Sequence, residues 1–493
     1  MPKLSFIIPV YHTEKYLPKC IQKLREQSLG DWEAIFVLDG ESAEARSIIV
    51  NGMRGSDKRH EIISIPHGGA CKARNEGFRH SKGDYCVFWD SDCYIEPNTA
   101  MAWVEMFEKY PEHGFFYSGY TFVNEQGTLD SVPFDPFLLR VRNYISTCFP
   151  FRRALFPGWD ESLESLQDWD FWLSIVEKGA TGKFMLGYAW STEYPNPDSI
   201  SGKGCTQEVW LSRVDAVKKK HNLPERETCV SSLGNRDDGI HLAKLIDADY
   251  QDFPNGKPHR YKNIIQVGFN LMPQMVQHHA GIFNDPVVKK FIFWTPENMN
   301  EIWNGTSLSA IDKYSIILNH DVKMFVEDCH AEKLMKRAGF NVEVMPMPMR
   351  GPETIRPMPE VKKVLVDICA DYGHVFTSLE KSLPDIALEI VDGKHKIEDF
   401  NGLLHFYLDR TMSNTIKRMI LCGRHVISNV QNPFCGYVDD MRNPEDFLPI
   451  MVEKIREMVK KPINTTGAGY YKNLLVPDKL KAMLESNELA GVR

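Results

Sequence analysis

The chain has 493 residues, 43% of them hydrophobic and 25% charged, with a formal net charge of −8. That balance belongs to folded globular domains, two to four of them at this length, and excludes a disordered or fibrous chain. A mildly acidic chain carries no overall field that draws it to DNA or to anionic lipid.

No apolar run approaches the roughly 20 residues that span a bilayer, and residues 1–10 lack the h-region of a signal peptide. The eleven cysteines form no CxxC pair and no compact metal-ligand spacing, so they read as buried thiols. Together these features predict a protein that is cytoplasmic or peripheral to a membrane.

Leu4–Val10 reads as a short buried strand closed by a proline-containing loop, and Leu17–Gln27 as a helix. Glu33–Leu38 is a second strand ending at Asp39-Gly40, Glu61–Ile65 a third, Ala70–His80 a helix, and Tyr85–Trp89 a fourth strand ending at Asp90. Alternating strands and helices predict an α/β fold with a mostly parallel sheet covered on both faces. Ligands of such sheets bind beyond the carboxyl ends of the strands, where Asp39 and Asp90 stand.

Gln207–Asn222 reads as a helix closing a first domain over residues 1–223. Residues 224–259 are polar, partly acidic and punctuated by Gly and Pro, and are expected to form a connector with a short helix near Ile240–Ile246. A second alternating pattern follows. Strands at Asn263–Val267, Lys290–Trp294, Ser315–Leu318 and Val342–Met345 predict a Rossmann-like half over 260–358. Strands at Lys363–Asp367, Ala387–Val391, Leu403–Leu408 and His425–Ser428, with a helix over Pro444–Val459, predict another over 359–493.

The motif richest in chemistry is Trp89-Asp90-Ser91-Asp92. Two carboxylates flanking one residue after a strand can reach one side of a turn and hold a hard divalent cation, Mn²⁺ or Mg²⁺, against substrate phosphates. The plainer alternative is a solvated turn.

Its company favours the first reading. Ser5–Tyr11, Glu33–Gly40, Gly68–Gly77 running into Gly83–Asp92, and Trp159–Leu163 followed by Gln167–Leu173 occur in order. Together they resemble a family 2 glycosyltransferase with the GT-A nucleotide-diphospho-sugar transferase fold.

The resemblance implies roles for single residues. Pro9, Tyr11 and Asp39 would line the nucleoside pocket, Arg74 would meet the diphosphate, and Asp90 and Ser91 would lie against the nucleotide. Asp90 and Asp92 would hold the metal, with Asn196 where the family often has a histidine ligand. Asp168 would be the catalytic base that takes the proton of the acceptor hydroxyl. The chain departs from the family pattern at Leu38, usually acidic, and at Gln167, usually glutamate. Plain structural roles stand beside these: Arg74 on a helix surface, Asp168 as a helix cap, and Asn196 as a loop residue before proline.

Residues 260–480 resemble more faintly the double Rossmann-like GT-B transferases, best at Ser413–Ile427. Arg410 and Arg418 stand where that group carries two glutamates. The charge reversal points to a non-catalytic or acceptor-recognition region, its arginines suited to phosphate or anionic sugar. The adjacent His278-His279 point about 100° apart on a helix and are expected to be structural.

The resemblance as a whole implies an inverting, metal-dependent glycosyltransferase. It would use a nucleotide-sugar, UDP-sugar first, and a glycan or lipid-linked glycan as acceptor. Two other readings stay open. One is transfer to a hydroxylated nucleobase in DNA, which the net charge does not favour. The other is a degenerate sugar-binding or scaffold protein.

Overall fold

A computed structural model describes residues 2–53, 59–122, 128–129, 132–192, 206–232, 236–252, 261–267, 287–295, 323–326, 332–333, 336, 341–345, 348, 352, 354–368, 373–391, 396–406, 414–430, 432–433, 435–438, 444–472 and 476–485. The chain divides into two compact units, Met1–Pro224 and Glu225–Arg493.

The first unit opens with β1 (Leu4–Val10), α1 (Leu17–Arg25), β2 (Trp32–Asp39), α2 (Ala43–Gly52), β3 (His60–Ile65), α3 (Ala70–His80) and β4 (Tyr85–Phe88). It continues with β5 (Cys93–Ile95), α4 (Thr99–Lys109), β6 (Phe115–Phe122), β7 (Thr128–Leu129), α5 (Pro136–Val141), β8 (Phe151–Arg152), α6 (Gln167–Glu177), β9 (Gly182–Thr192) and α7 (Gln207–Lys220). A nine-stranded sheet runs β3-β2-β1-β4-β8-β6-β9-β5, with β7 on β6. The stretch from β3 to β4 is parallel, as expected. Beyond β4 the sheet is mixed, because β8 runs antiparallel to β4 and β6, and β5 antiparallel to β9. Strands of two or three residues are too short to show a period in the sequence.

β1 is central, and all of it but Pro9 is buried. That is why it reads as an unbroken apolar run. Phe6 lies edge-on to Trp32 and Trp89, at 6.0 and 6.1 Å between ring centroids.

α3 lies so close to β1 and β2 that a Cβ at Gly77 would stand 2.5 Å from Ile7 Cγ2 and 2.9 Å from Val37 Cγ2. Although alanine is the better helix former, Gly77→Ala is therefore expected to destabilise the unit by about 1–3 kcal/mol. Thermal unfolding followed by circular dichroism checks this; an unchanged Tm would mean a looser seat for α3.

In the second unit, the stretch expected as a connector contributes β10 (Thr228–Ser232), α8 (Arg236–Ile246), which covers the short helix expected near Ile240–Ile246, and β11 (Asp249–Asp252). With β12 (Asn263–Val267), β13 (Lys290–Thr295), β14 (Lys323–Val326) and β15 (Val342–Val344) these strands form a parallel sheet, ordered β11-β10-β12-β13-β14-β15. Composition hid β10 and β11 because their polar groups pair with one another inside the unit. Buried Ser232 bonds the Tyr250 hydroxyl at 2.6 Å, and buried Asp249 meets Arg226 at 3.2 Å and the Tyr261 hydroxyl at 2.9 Å.

A second parallel sheet, β17-β16-β18-β19-β20, is built from β16 (Lys363–Ile368), β17 (Ala387–Ile390), β18 (Gly402–Phe406), β19 (His425–Ser428) and β20 (Cys435–Tyr437). Around it stand α9 (Gly373–Ser382), α10 (Asn414–Leu421), α11 (Pro444–Met458) and α12 (Thr465–Lys472), while α13 (Val476–Glu485) packs against α8 beside the first of the two sheets. The Arg418 side chain, expected to face an anion, pairs with Asp238 of α8 at 3.3 Å. Arg410, His278-His279 and the strand expected at Ser315–Leu318 lie outside the described residues.

Among the described residues no helix is long and apolar enough to cross a membrane. Every described cysteine is a free thiol, and all but Cys435 are buried.

Candidate active site

The site of the first unit gathers at the carboxyl ends of β1, β2 and β4 and at the start of α6. Tyr11 follows β1 with 48% of its surface exposed. Its ring stacks on His67, with 4.2 Å between centroids and planes 12° apart. Pro9 is half-buried within β1.

Asp39, at the end of β2, is buried. Its carboxylate accepts from the Gly68 and Gly69 amides at 2.7 and 2.9 Å, and from His67 Nδ1 at 3.0 Å. It folds the 67–69 loop back over the end of β2. Gly69, at φ 90°, needs the left-handed region that glycine alone enters freely. Asp39 thus shapes the expected nucleoside pocket with donors of its own chain already on both oxygens.

Arg74 departs most from its expected role. It is buried on α3, neither on the helix surface nor open to an incoming diphosphate. Nη2 donates to Asp90 Oδ1 at 2.9 Å, Nη1 to Gln167 Oε1 at 3.2 Å, and the guanidinium lies 4.6 Å from the Trp159 ring centroid. The planar fork suits this bridging.

The next residue, Asn75, brackets the Trp159 backbone: its Nδ2 donates to Trp159 O at 2.9 Å, and its Oδ1 accepts from Trp159 N at 2.8 Å. Sequence reasoning passed over Asn75, although it stands inside the quoted Gly68–Gly77 stretch. Two neighbours on one helix therefore tie the end of β4 to the 159–167 loop. Trp159 in turn stacks on Phe171 of α6 at 4.5 Å and meets Phe88 of β4 edge-on at 5.0 Å.

Arg74→Ala removes two hydrogen bonds, one of them to a charged partner. It is expected to cost about 2 kcal/mol, read from urea unfolding. A variant as stable as the parent would show that Asp90 and Gln167 are held by other means.

Asp90 and Asp92 project from the turn after β4. The Asp90 side chain is 37% exposed. Its Oδ2 accepts from the Cys148 thiol at 3.9 Å, and Asp92 Oδ1 accepts from the Cys93 thiol at 3.8 Å. The two sulfurs are 3.7 Å apart. Ser91, expected against the nucleotide, is buried.

Two hard-oxygen carboxylates on a partly exposed turn fit Mg²⁺ or Mn²⁺. These ions bind through one or two carboxylates and complete their shell with water and substrate phosphate. Among the described residues no three His, Cys, Asp or Glu side chains converge to make a full protein shell. Asn196 lies outside the described residues.

Asp168 is the second residue of α6. The capping position belongs to Leu166, in the left-handed region at φ 58°, with no side-chain cap. The cap alternative for Asp168 is thereby corrected. Oδ1 of Asp168 accepts from the adjacent Trp169 amide at 2.9 Å. Burial pushes its carboxyl above the ordinary 3.8, against the opposing pull of the Asn143 side chain, the Trp169 amide and the Arg74 charge. A half-buried carboxyl with a raised pKa is suited to accept a proton.

Residues 5–157 match the model of glycosyl transferase family 2. The chain is 28% identical over 187 residues to a chondroitin synthase of Pasteurella multocida (strain Pm70), across 36% of this chain and 19% of that protein. A hyaluronan synthase of Pasteurella multocida matches to the same extent. The glycosyltransferase GlyA of Streptococcus pneumoniae is 36% identical over 94 residues, across 19% of this chain and 13% of that protein. The chain thus spans about a fifth or less of the length of these relatives. Among solved structures, S. aureus TarS 1-349 in complex with UDP-GlcNAc aligns with a TM-score of 0.37 at 16% identity, over 64% of this chain and 80% of that one.

Proposed function

We propose that the N-terminal unit of this chain, whose residues 5–157 match the model of glycosyl transferase family 2, transfers a sugar, with inversion, from a nucleotide-sugar to an acceptor hydroxyl. A UDP-sugar is the first candidate donor. The relatives' names, chondroitin synthase and hyaluronan synthase, put a growing polysaccharide first among acceptors.

The observation that carries this reading is the position of Arg74. One guanidinium touches both Asp90 of the two-carboxylate turn and Gln167, the neighbour of Asp168. The residues suited to hold the departing side and the attacking side of one reaction are thereby braced against each other.

In the proposed step Asp168 takes the proton of the acceptor hydroxyl. The freed electron pair forms the bond to the anomeric carbon, and the bond to the diphosphate oxygen breaks with its pair leaving on the diphosphate. Asp90 and Asp92 would hold a divalent cation, which when bound supplies positive charge to that leaving group. Tyr11 and His67 offer a stacked aromatic face for the base.

The experiment is a panel of nucleotide-sugars with Mn²⁺, read by nucleotide release with and without oligosaccharide acceptors. Acceptor-stimulated release from one donor class supports the reading; no release from any donor with any metal favours the degenerate sugar-binding protein.

A further inference from the structure

We propose that Lys220 and His221, at the end of α7, are positioning residues for the helix that carries Asp168. They lie outside the 5–157 stretch matched to the family and outside the motifs that carry the resemblance.

Their target is Asp170, buried in the first turn of α6, two residues beyond Asp168. Lys220 Nζ stands 2.7 Å from Asp170 Oδ1, and His221 Nε2 donates to the same oxygen at 2.8 Å. The other ring nitrogen of His221 meets Glu177 Oε1, in the last turn of α6, at 2.9 Å. Lys220 also reaches Asp160 Oδ2 at 2.8 Å, in the loop next to Trp159. One histidine thus spans α6 from its first turn to its last, and one lysine joins that helix to the loop latched by Arg74 and Asn75. The charged groups facing His221 are Asp170 and Glu177 from α6; Lys220 and, through it, Asp160 complete the cluster. Both ring nitrogens face carboxylates, an arrangement that the doubly protonated ring satisfies.

Two physical consequences bear on Asp168. First, α6 starts from a left-handed Leu166 with no side-chain cap. The clasp on Asp170 therefore joins the Arg74 contact with Gln167 in fixing its first turn and the direction in which Asp168 leaves it. Second, the groups that favour the ionised form of Asp168 against its burial are the Asn143 side chain, the Trp169 amide and Arg74. If the first turn of α6 shifts, Asp168 loses its alignment with them, holds its proton to higher pH and serves less well as a base.

This inference rests on Asp168 being the acceptor base. The test uses the full chain with Lys220→Met, Lys220→Gln and Lys220→Arg, assayed well below the Tm of each variant. Lys220→Met is expected to lower kcat by about 10- to 100-fold, with the donor KM within about twofold of the parent. The acid limb of the kcat/KM profile should move up by about half a pH unit or more. Lys220→Gln keeps a hydrogen-bond donor but is too short to reach both Asp170 and Asp160, so it should show the same shift in the acid limb even if the methionine variant fails to fold. Lys220→Arg should restore both values. A lower Tm with an unmoved acid limb and unchanged kcat would overturn the proposal, leaving a structural brace only. A parent chain that turns over no nucleotide-sugar would overturn the parent reading and this one together.

Discussion

Asp168→Asn is expected to lower transfer by about 10²- to 10⁴-fold, the range over which a positioned proton acceptor contributes, while leaving nucleotide affinity within about twofold. The substitution keeps the shape of the side chain, and the asparagine oxygen can still accept the Trp169 amide that Oδ1 now accepts at 2.9 Å. What it loses is the capacity to take a proton.

The pH dependence follows from the same residue. Burial holds its carboxyl above the ordinary 3.8. A base must be ionised to act, so activity should fall as pH drops through that raised value, and the acid limb should lie above the position of a solvent-exposed aspartate. Initial rates across pH, with nucleotide binding measured by calorimetry, check both points. A variant with full transfer activity would remove Asp168 from the mechanism. One that lost nucleotide binding in step with rate would make it a donor-site residue.

Asp92→Ala is expected to produce the second large effect. If Asp92 holds the cation that neutralises the departing diphosphate, its loss removes several kcal/mol of transition-state stabilisation, about 10²-fold or more in rate. Part of that loss should return at high Mn²⁺, because Asp90 remains. The neighbouring contact to the Cys93 thiol at 3.8 Å is a weak bond, and its removal explains little. Rates measured against Mn²⁺ concentration separate the outcomes. A rightward shift of the metal dependence supports the assignment, and an unchanged curve assigns the metal, if there is one, elsewhere.

Much of the first unit was legible because its strands are buried on both faces. Leu4–Val10 and Trp32–Asp39 are mostly apolar runs, the second ending in Asp39, and Ala70–His80 was read to its observed ends. The mixed half of the sheet was hidden, since Cys93–Ile95 and Phe151–Arg152 are too short to carry a period. In the second unit, Thr228–Ser232 was missed because a strand that ends in two buried serines, one of them bonded to the Tyr250 hydroxyl, looks in composition like a linker.

The site divides in the same way. The three carboxylates at 90, 92 and 168 could be named from spacing and resemblance. The contacts of buried Arg74 with Asp90 and with Gln167 and the Asn75 latch on Trp159 join residues 16, 93 and 84 positions apart in the chain. No local pattern encodes such pairs. The clasp on Asp170 is hidden for a similar reason: the Lys218-Lys219-Lys220 run reads as a solvated helix end, and only the fold turns its last member toward α6.

The most direct measurement is proton NMR of the sugar first released when water stands in for the acceptor, starting from a UDP-α-linked donor. Attack guided by Asp168 from the face opposite the diphosphate predicts that the β anomer appears first and the α anomer only later, by mutarotation. Initial release of the α anomer would contradict it, because the leaving group and the incoming oxygen would then share one face of the sugar.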